Sequence, residues 1–381
     1  MRYLILLVSA VATLAGSASG FTWHVSKDGS SEFSVIQEAV DAASPGDTIW
    51  VHAGRYDELT VDCELWDDGT VADCHVVFTK DNLTLRGDGK DVTVIGPAVH
   101  PEDHPQYYFG IGAPRGDRTS AIVRDLTIEN CEWGIYASTP NCEFTGLKIQ
   151  GCGEAIREVA LSSCLVEDCD IVDCNSGIKA YTPARNLTIR GSRISYVAYG
   201  CFCVLVENIL VEDSFFSGGA TALAIQQDSD AIIRGVDASG YSVAGVNLCL
   251  GGSAEIYDSR FDGGSYGIAS SGAFVHCERT SFANQSYRTI WLNGYGISYI
   301  NDCEIINGGG LSVRCAYNGT DDCHADMTNN YWGTDSEEQI RDWIEDTNDD
   351  PDICCTVDFL PFNPGTPTEA KSLSSLKDFF K

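Results

Sequence analysis

Three rows of apolar residues share one beat along the middle of the chain. The first is an apolar residue that follows a small one, as in Gly134-Ile135. It runs Ile135, Ile156, Ile178, Cys201, Leu223, Val246, Ile268, Ile290 and Leu311, spaced by 21 to 23 residues. The second runs Val123, Phe144, Val166, Ile189, Val211, Ile233, Ile256, Cys277 and Ile300, and the third Ile128, Ile149, Ile171, Ile194, Phe216, Ala238, Phe261, Phe282 and Ile305. A period near 22 is shared by leucine-rich repeats and parallel β-helices. The leucine-rich pattern is missing here, and the short β-branched runs, broken by Gly, Asn, Asp and Ser, leave no room for a helix in each repeat. The pattern therefore predicts an all-β solenoid, a parallel β-helix in a single domain. Its rungs would stack at about the 4.8 Å inter-strand spacing, turning each row into an inward ladder.

The polar positions agree with that register. The residue after the Val123 row alternates in sign from Glu167 through Arg190 and Glu212 to Arg234. Opposite charges one rung apart attract and like charges would repel, so these read as stitching of the solenoid rather than as a site. Both ends carry helical spacing suited to caps, which an open solenoid core needs. Residues 33–43 precede the turn Ser44-Pro45-Gly46-Asp47, and residues 336–344 form a short amphipathic stretch. Thr48-Ile49-Trp50-Val51 reads as the first strand. Domain bounds follow: a leader over 1–20, the solenoid over 21–362 with its C-terminal cap at 329–362, and a linker with a short tail over 363–381.

The leader has a positive Arg2, an apolar run from Leu4 to Ala15 and a small-residue zone at Ser17-Ala18-Ser19-Gly20. That is a secretory signal, too short for a membrane span, and it predicts a secreted or periplasmic protein. Seventeen Cys fit an oxidising compartment, and the odd number leaves at least one thiol without an internal partner. Cys63 with Cys74, and Cys315 with Cys323, are the pairs expected as disulfides. Cys131, Cys152 and Cys174 fall on successive rungs. Against 55 Asp and Glu stand only 24 Lys and Arg, a formal charge of −31. Such a surface excludes nucleic acid as a partner, because phosphate binding needs a basic field.

Several segments bring a family into view. Val25-Ser26-Lys27-Asp28-Gly29-Ser30, then Ile36-Gln37-Glu38-Ala39-Val40-Asp41-Ala42-Ala43, Pro45-Gly46-Asp47-Thr48-Ile49 and Gly54-Arg55-Tyr56 resemble the opening of pectin-lyase-like proteins, pectin methylesterases above all. Asn329-Asn330-Tyr331-Trp332-Gly333-Thr334 resembles the closing motif of secreted right-handed β-helix repeat proteins. The resemblance implies a right-handed solenoid and a carbohydrate ligand. It does not carry over a catalytic set. The Gly-x-x-Asp-Phe-x-Phe-Gly and Leu-Gly-Arg-Pro-Trp motifs of the esterases are missing, as are the Asn-Thr-Asp and Gly-His-Gly motifs of polygalacturonases. So is the Asp-Pro-His-Glu motif of alginate epimerases.

One outward face nevertheless differs from the charge ladders. Beside the Ile135 row stand Tyr136, Arg157, Lys179, Phe202 and Trp291, with Tyr181 three residues past the row and Arg185 nearby. Aromatic rings stack on sugar rings, and guanidinium and ammonium groups bind hydroxyls or carboxylates. Tyr136, Arg157, Lys179, Tyr181, Arg185 and Trp291 are therefore the candidate ligands of a polysaccharide or cell-surface glycan, with Arg157 or Lys179 the candidate base of a lyase. The bland alternative is a decorated sheet face. An insertion over 97–118 carries His100, Glu102, Asp103 and His104 and reads as a solvated loop. Asp346, Asn348, Asp350 and Asp352 place oxygens at alternating positions, as calcium loops do, against the alternative of a plain acidic turn. Calcium is the one cofactor the sequence points to, and a monomer is expected. Two functions remain open from sequence: a secreted polysaccharide-binding lyase or hydrolase, and a non-catalytic adhesion or display solenoid.

Overall fold

A computed structural model describes residues 20–64, 71–101, 108–114, 119–159, 162–294, 296–306, 311–316 and 323–365. The leader over 1–20, except Gly20, and the tail beyond 365 lie outside the described residues. So do Glu102, Asp103 and His104.

Each repeat folds into three short strands, and equivalent strands stack in parallel into three ladders. The first ladder is a 14-stranded sheet that opens with Thr22–Val25 and Thr48–Val51 and closes with Cys323–Asp326 and Cys355–Asp358. Thr22–Val25 therefore precedes the strand expected to be first, and pairs with it along its length. The second ladder is built from three-residue strands such as Thr127–Glu129 and Lys148–Gln150. The third contains Tyr108–Ala113, Trp133–Ala137 and Glu154–Val159. In the middle rungs, strands of the second and third ladders merge into Asp170–Arg185 and Arg193–Glu207.

The apolar rows fall in register as the spacing predicts. Ile135 opposes Ile156, which opposes Ile178, then Cys201, Leu223, Val246, Ile268 and Ile290. The row ends on Val313 rather than Leu311; Ser312-Val313 repeats the small-then-apolar pair two residues on, and its step of 23 from Ile290 stays within the period. The Val123 and Ile128 rows hold throughout. One continuous core fills the solenoid from Val25 to Phe359.

The turn from the first ladder to the second explains part of the acidity. It places a left-handed residue on each rung, and on alternate rungs that residue is an Asp: Asp125, Asp168, Asp213, Asp258 and Asp302, with φ between 46° and 58°, while Gly146, Gly191, Gly235 and Arg279 take the rungs between. Asp tolerates this conformation because its short side chain bonds locally. Hydroxyls stack on the same turn. The backbone N–H of Ser192 donates to Ser214 Oγ, and that of Val236 to Ser259 Oγ. Asn330, from the closing motif, ends the series: its Oδ1 accepts from the Cys303 N–H at 2.8 Å, while its Nδ2 donates to the Ile300 and Met327 carbonyls. Trp332 beside it is fully buried. The charge ladder also forms, with Arg190 between Glu167 at 3.3 Å and Glu212 at 3.1 Å.

Both caps are helical. The first spans Ile36–Ala42, inside the expected 33–43. Its Gln37 amide bonds both ways with Val77, donating to the carbonyl at 3.1 Å and accepting from the N–H at 2.8 Å. It thereby occupies backbone groups that the end of the third ladder would leave open. The second helix is Glu337–Asp342, with Ser336 Oγ accepting from the Gln339 N–H as N-cap. The one antiparallel pairing among the named strands is a hairpin of Thr60–Glu64 and Val71–Val77.

Candidate functional site on the outward face of the third ladder

The strand Glu154–Val159 buries two consecutive residues, Ala155 and Ile156, and on the rung before it Gly134 and Ile135 hold the same register. A Cβ on Gly134 would lie 2.6 Å from the Ala155 carbonyl oxygen, so only glycine lets the rungs close there. With two residues turned inward, the residue before them and the residue after them both point out. The face therefore has an extra row in register, in which Trp133, Glu154, Tyr199 and Tyr266 reach solvent while Ser176, Thr221, Ala244 and Arg288 are buried. Sequence reasoning by simple alternation misses this row, although its fixed offset from Ile135 was present to be read.

Glu154 is the centre of the face. It accepts from Arg157 Nη1 at 3.1 Å and from Lys179 Nζ at 2.6 Å. The three side chains are 15%, 28% and 18% exposed respectively, so one edge of the triad meets solvent. The Arg157 guanidinium also lies over the Trp133 ring at 4.7 Å and over the Tyr181 ring at 5.1 Å. That sandwich fixes the guanidinium and leaves it less freedom to lose on binding. Tyr181 continues into Phe202 at 5.9 Å between centroids, and Phe202 into Tyr199 at 5.0 Å.

Of the sequence-predicted residues, Arg157, Lys179 and Tyr181 come together. Tyr136 is in line with them but closed off. It is 3% exposed and belongs to a small outer cluster with Cys63, Cys74, Val77 and Phe109, which the hairpin brings over the face. Tyr136 supports the wall and does not offer its ring to a ligand. Arg185 stands apart. It lies beyond a register shift after Tyr181, is 62% exposed, and pairs with Glu207 at 3.1 Å.

Trp291 lies six rungs from Arg157, at about 4.8 Å per rung. It centres a second aromatic and basic group. Tyr266 is 5.8 Å from Trp291, Arg314 opposes it on the next strand, and Arg288 and Arg314 share Glu345 at 2.9 and 3.6 Å. Between the two groups the floor is Ala224, Asn247 and Ala269.

The expected calcium ligands do not converge. Asp346 is fully buried, and its carboxylate is already used. One oxygen accepts from Arg341 at 3.0 Å and from the Asn348 N–H at 2.9 Å; the other accepts from the Val357 N–H at 3.0 Å. Arg341 supplies the positive charge a cation would bring, and Asp350 accepts from the Asp352 N–H within its own turn. Among the described residues, three metal-type ligands gather only at Cys315, Cys323 and Cys355. The Cys315 and Cys355 sulfurs lie side by side with Cα atoms 5.6 Å apart, and the sulfur of Cys323, the partner expected from sequence, lies 3.7 Å from that of Cys315. His100, on the insertion, has its ring nitrogen 3.1 Å from the Pro101 carbonyl.

Two solved structures resemble this architecture over most of its length. The A-module of a mannuronan C-5 epimerase from Azotobacter vinelandii is similar over 87% of this chain and 95% of its own, with a TM-score of 0.66 at 15% identity. The catalytic domain of a GH87 alpha-1,3-glucanase is similar over 92% of this chain and 70% of its own, with a TM-score of 0.58 at 11% identity. At these identities the likeness is one of fold. No curated protein matches the sequence. Residues 67–235 match the family described as the right handed beta helix region; with the same three ladders continuing on both sides of that span, the chain is a right-handed parallel β-helix protein.

Proposed function

We propose that this is an exported protein that binds polysaccharide along the outward face of the third ladder. The observation that carries the reading is the Glu154 carboxylate held between Arg157 and Lys179, flanked by the Trp133 and Tyr181 rings. Rings give sugar faces a platform, and the carboxylate and two cations give hydroxyls donors and acceptors in fixed positions. Two solved neighbours with the same fold, an epimerase and a glucanase, are carbohydrate-active, which supports the class of ligand. Should the face also cleave its ligand, the class is a polysaccharide lyase or glycoside hydrolase. Lys179 would then be the base and Glu154 the group that releases it on substrate binding.

A second reading is favoured by the same triad. Both cations are already engaged by Glu154, which suits recognition without bond breaking, as in an adhesion or display solenoid. One experiment separates the readings. The protein is incubated with neutral and acidic polysaccharides, with and without calcium, and chain length is followed by size-exclusion chromatography. Shortened chains with an unsaturated end establish a lyase, and co-elution without shortening establishes a binding module. The double variant Arg157→Ala/Lys179→Ala should lose at least tenfold in affinity while its melting temperature moves by no more than a few degrees. Unchanged affinity in that variant would place the ligand elsewhere.

A further inference from the structure

The outward face of the first ladder carries a cluster that polysaccharide binding leaves unused. His24 lies on the first strand, His52 one residue past the second, and Asp88 one residue past the third, Leu83–Gly87. His24 Nδ1 and His52 Nε2 are 3.0 Å apart. The ring planes agree within 9° and the centroids are 5.2 Å apart, which is the separation of two imidazoles set end to end in one plane. The nitrogens therefore face each other directly.

Asp88 fixes which protons are present. Its carboxylate accepts from Trp50 Nε1 at 2.6 Å, from the Ala53 N–H at 3.0 Å and from His52 Nδ1 at 3.1 Å. A carboxylate only accepts, so His52 keeps its proton on Nδ1 and turns a bare lone pair at Nε2 toward His24. His24 then donates from Nδ1 across the gap.

We propose that the His24–His52 pair is a binding site for a divalent transition-metal ion, Cu(II) or Zn(II), which replaces the shared proton between His24 Nδ1 and His52 Nε2. Neutral imidazole nitrogen is the common protein ligand for both ions. Nitrogens 3.0 Å apart suit two bonds of about 2.0–2.1 Å to one ion in adjacent positions at about 90°, once the rings swing so that each lone pair moves roughly 40° off the line between the nitrogens. A metal-bound histidine nearly always gives its other N–H to a carboxylate or carbonyl, and Asp88 already holds His52 in that way. The His52 and Asp88 side chains are about a third exposed, so water completes the coordination.

The surrounding charge favours a cation. Glu32 accepts from the His24 N–H at 3.2 Å, and the Arg86 guanidinium is turned onto the Trp50 ring at 4.7 Å and engaged by Asp125. The proton balance is simple. With both rings neutral, His24 moves its proton from Nδ1 to Nε2 and none is released; with one ring protonated, one proton passes to water. The ion would join the first two strands of the first ladder.

The test uses the untagged, chelator-stripped chain titrated with Cu(II) and, separately, Zn(II). Expected are one tight Cu(II) per chain with an electron paramagnetic resonance spectrum of two nitrogen ligands, quenched Trp50 fluorescence, and a melting temperature that rises with Zn(II). His24→Gln and His52→Gln should each weaken binding tenfold or more. Asp88→Asn should keep the stoichiometry and weaken affinity roughly ten- to hundredfold. Trp50→Phe should keep the spectrum and lose the quenching. Full affinity in a folded His24→Gln/His52→Gln double variant would overturn the proposal, as would a one-nitrogen spectrum. Should these variants fail to fold, nitrogen NMR of the parent protein decides: Zn(II)-induced shifts at His24 Nδ1 and His52 Nε2 support the site, and shifts confined to other histidines overturn it.

Discussion

Glu158 is the residue at which this solenoid departs most from its own rules. It occupies an inward position between Ala137 and Ala180 and is fully buried. Neither carboxyl oxygen has a hydrogen-bond partner of good geometry. Burial pushes its pKa up from 4.5 to about 7, and the Cys164 thiol beside it, a weak donor, offsets only part of that. The folded state thus holds a proton that the unfolded chain releases near pH 4.5. Stability is fully present below that pH and falls as pH rises to about 7, by roughly 3 kcal/mol for this group alone. Denaturant unfolding at pH 5 and pH 7.5 should show the loss. In Glu158→Gln the contribution of this position should be flat with pH, and an unaltered pH slope in that variant would remove Glu158 as the cause. From sequence, Glu158 is one polar residue in a polar stretch; only the double inward turn at Ala155 and Ile156 shows that it must point inside. Tyr136 is buried for a related reason. Its row was legible, but the hairpin that covers it is a non-repeating excursion with no periodic signal.

Elements were legible wherever they repeat. Nine rungs carrying the same rows over-determine the register, and both cap helices fall within their expected spans. Legibility fails where two small–apolar pairs fit the same spacing, as Gly310-Leu311 and Ser312-Val313 do at the last rung of the third ladder, and where the contact is between distant segments. Cysteine pairing is of the second kind. Cys315 and Cys323 are near in sequence, but Cys355 belongs to the strand that pairs with Cys323–Asp326, which brings its sulfur to Cys315. A disulfide between them would tie the last strand of the first ladder to the third ladder and close a loop 40 residues long. In a chain-entropy account, such a link is worth about 3–4 kcal/mol. Cys355→Ser, produced under oxidising conditions, should lower the melting temperature by several degrees, whereas Cys323→Ser should leave it nearly unchanged. Peptide mapping that finds Cys315 joined to Cys323 instead would contradict the arrangement.

At the scale of the molecule, the two aromatic and basic groups on the third ladder lie on one straight face. From Arg157 to Arg314 the outward row crosses seven rung spacings, about 34 Å at 4.8 Å each. Stacked rungs form a rigid rod, so the separation between the groups is fixed. The intervening Ala224, Asn247 and Ala269 are short enough for a chain to pass over them. A polysaccharide long enough to reach both groups would bind the second at high effective concentration once the first is engaged. A short oligosaccharide would use one group at a time. Affinity should therefore climb with ligand length and then level off once the ligand spans both ends. Trp291→Ala should cost tenfold or more for the long ligand and little for a short one bound at Arg157, as read by isothermal titration across a length series. Equal losses for short and long ligands would mean that the ligand sits at Trp291 alone. No loss for either would confine it to the Glu154 group, and the length dependence would then have to vanish as well.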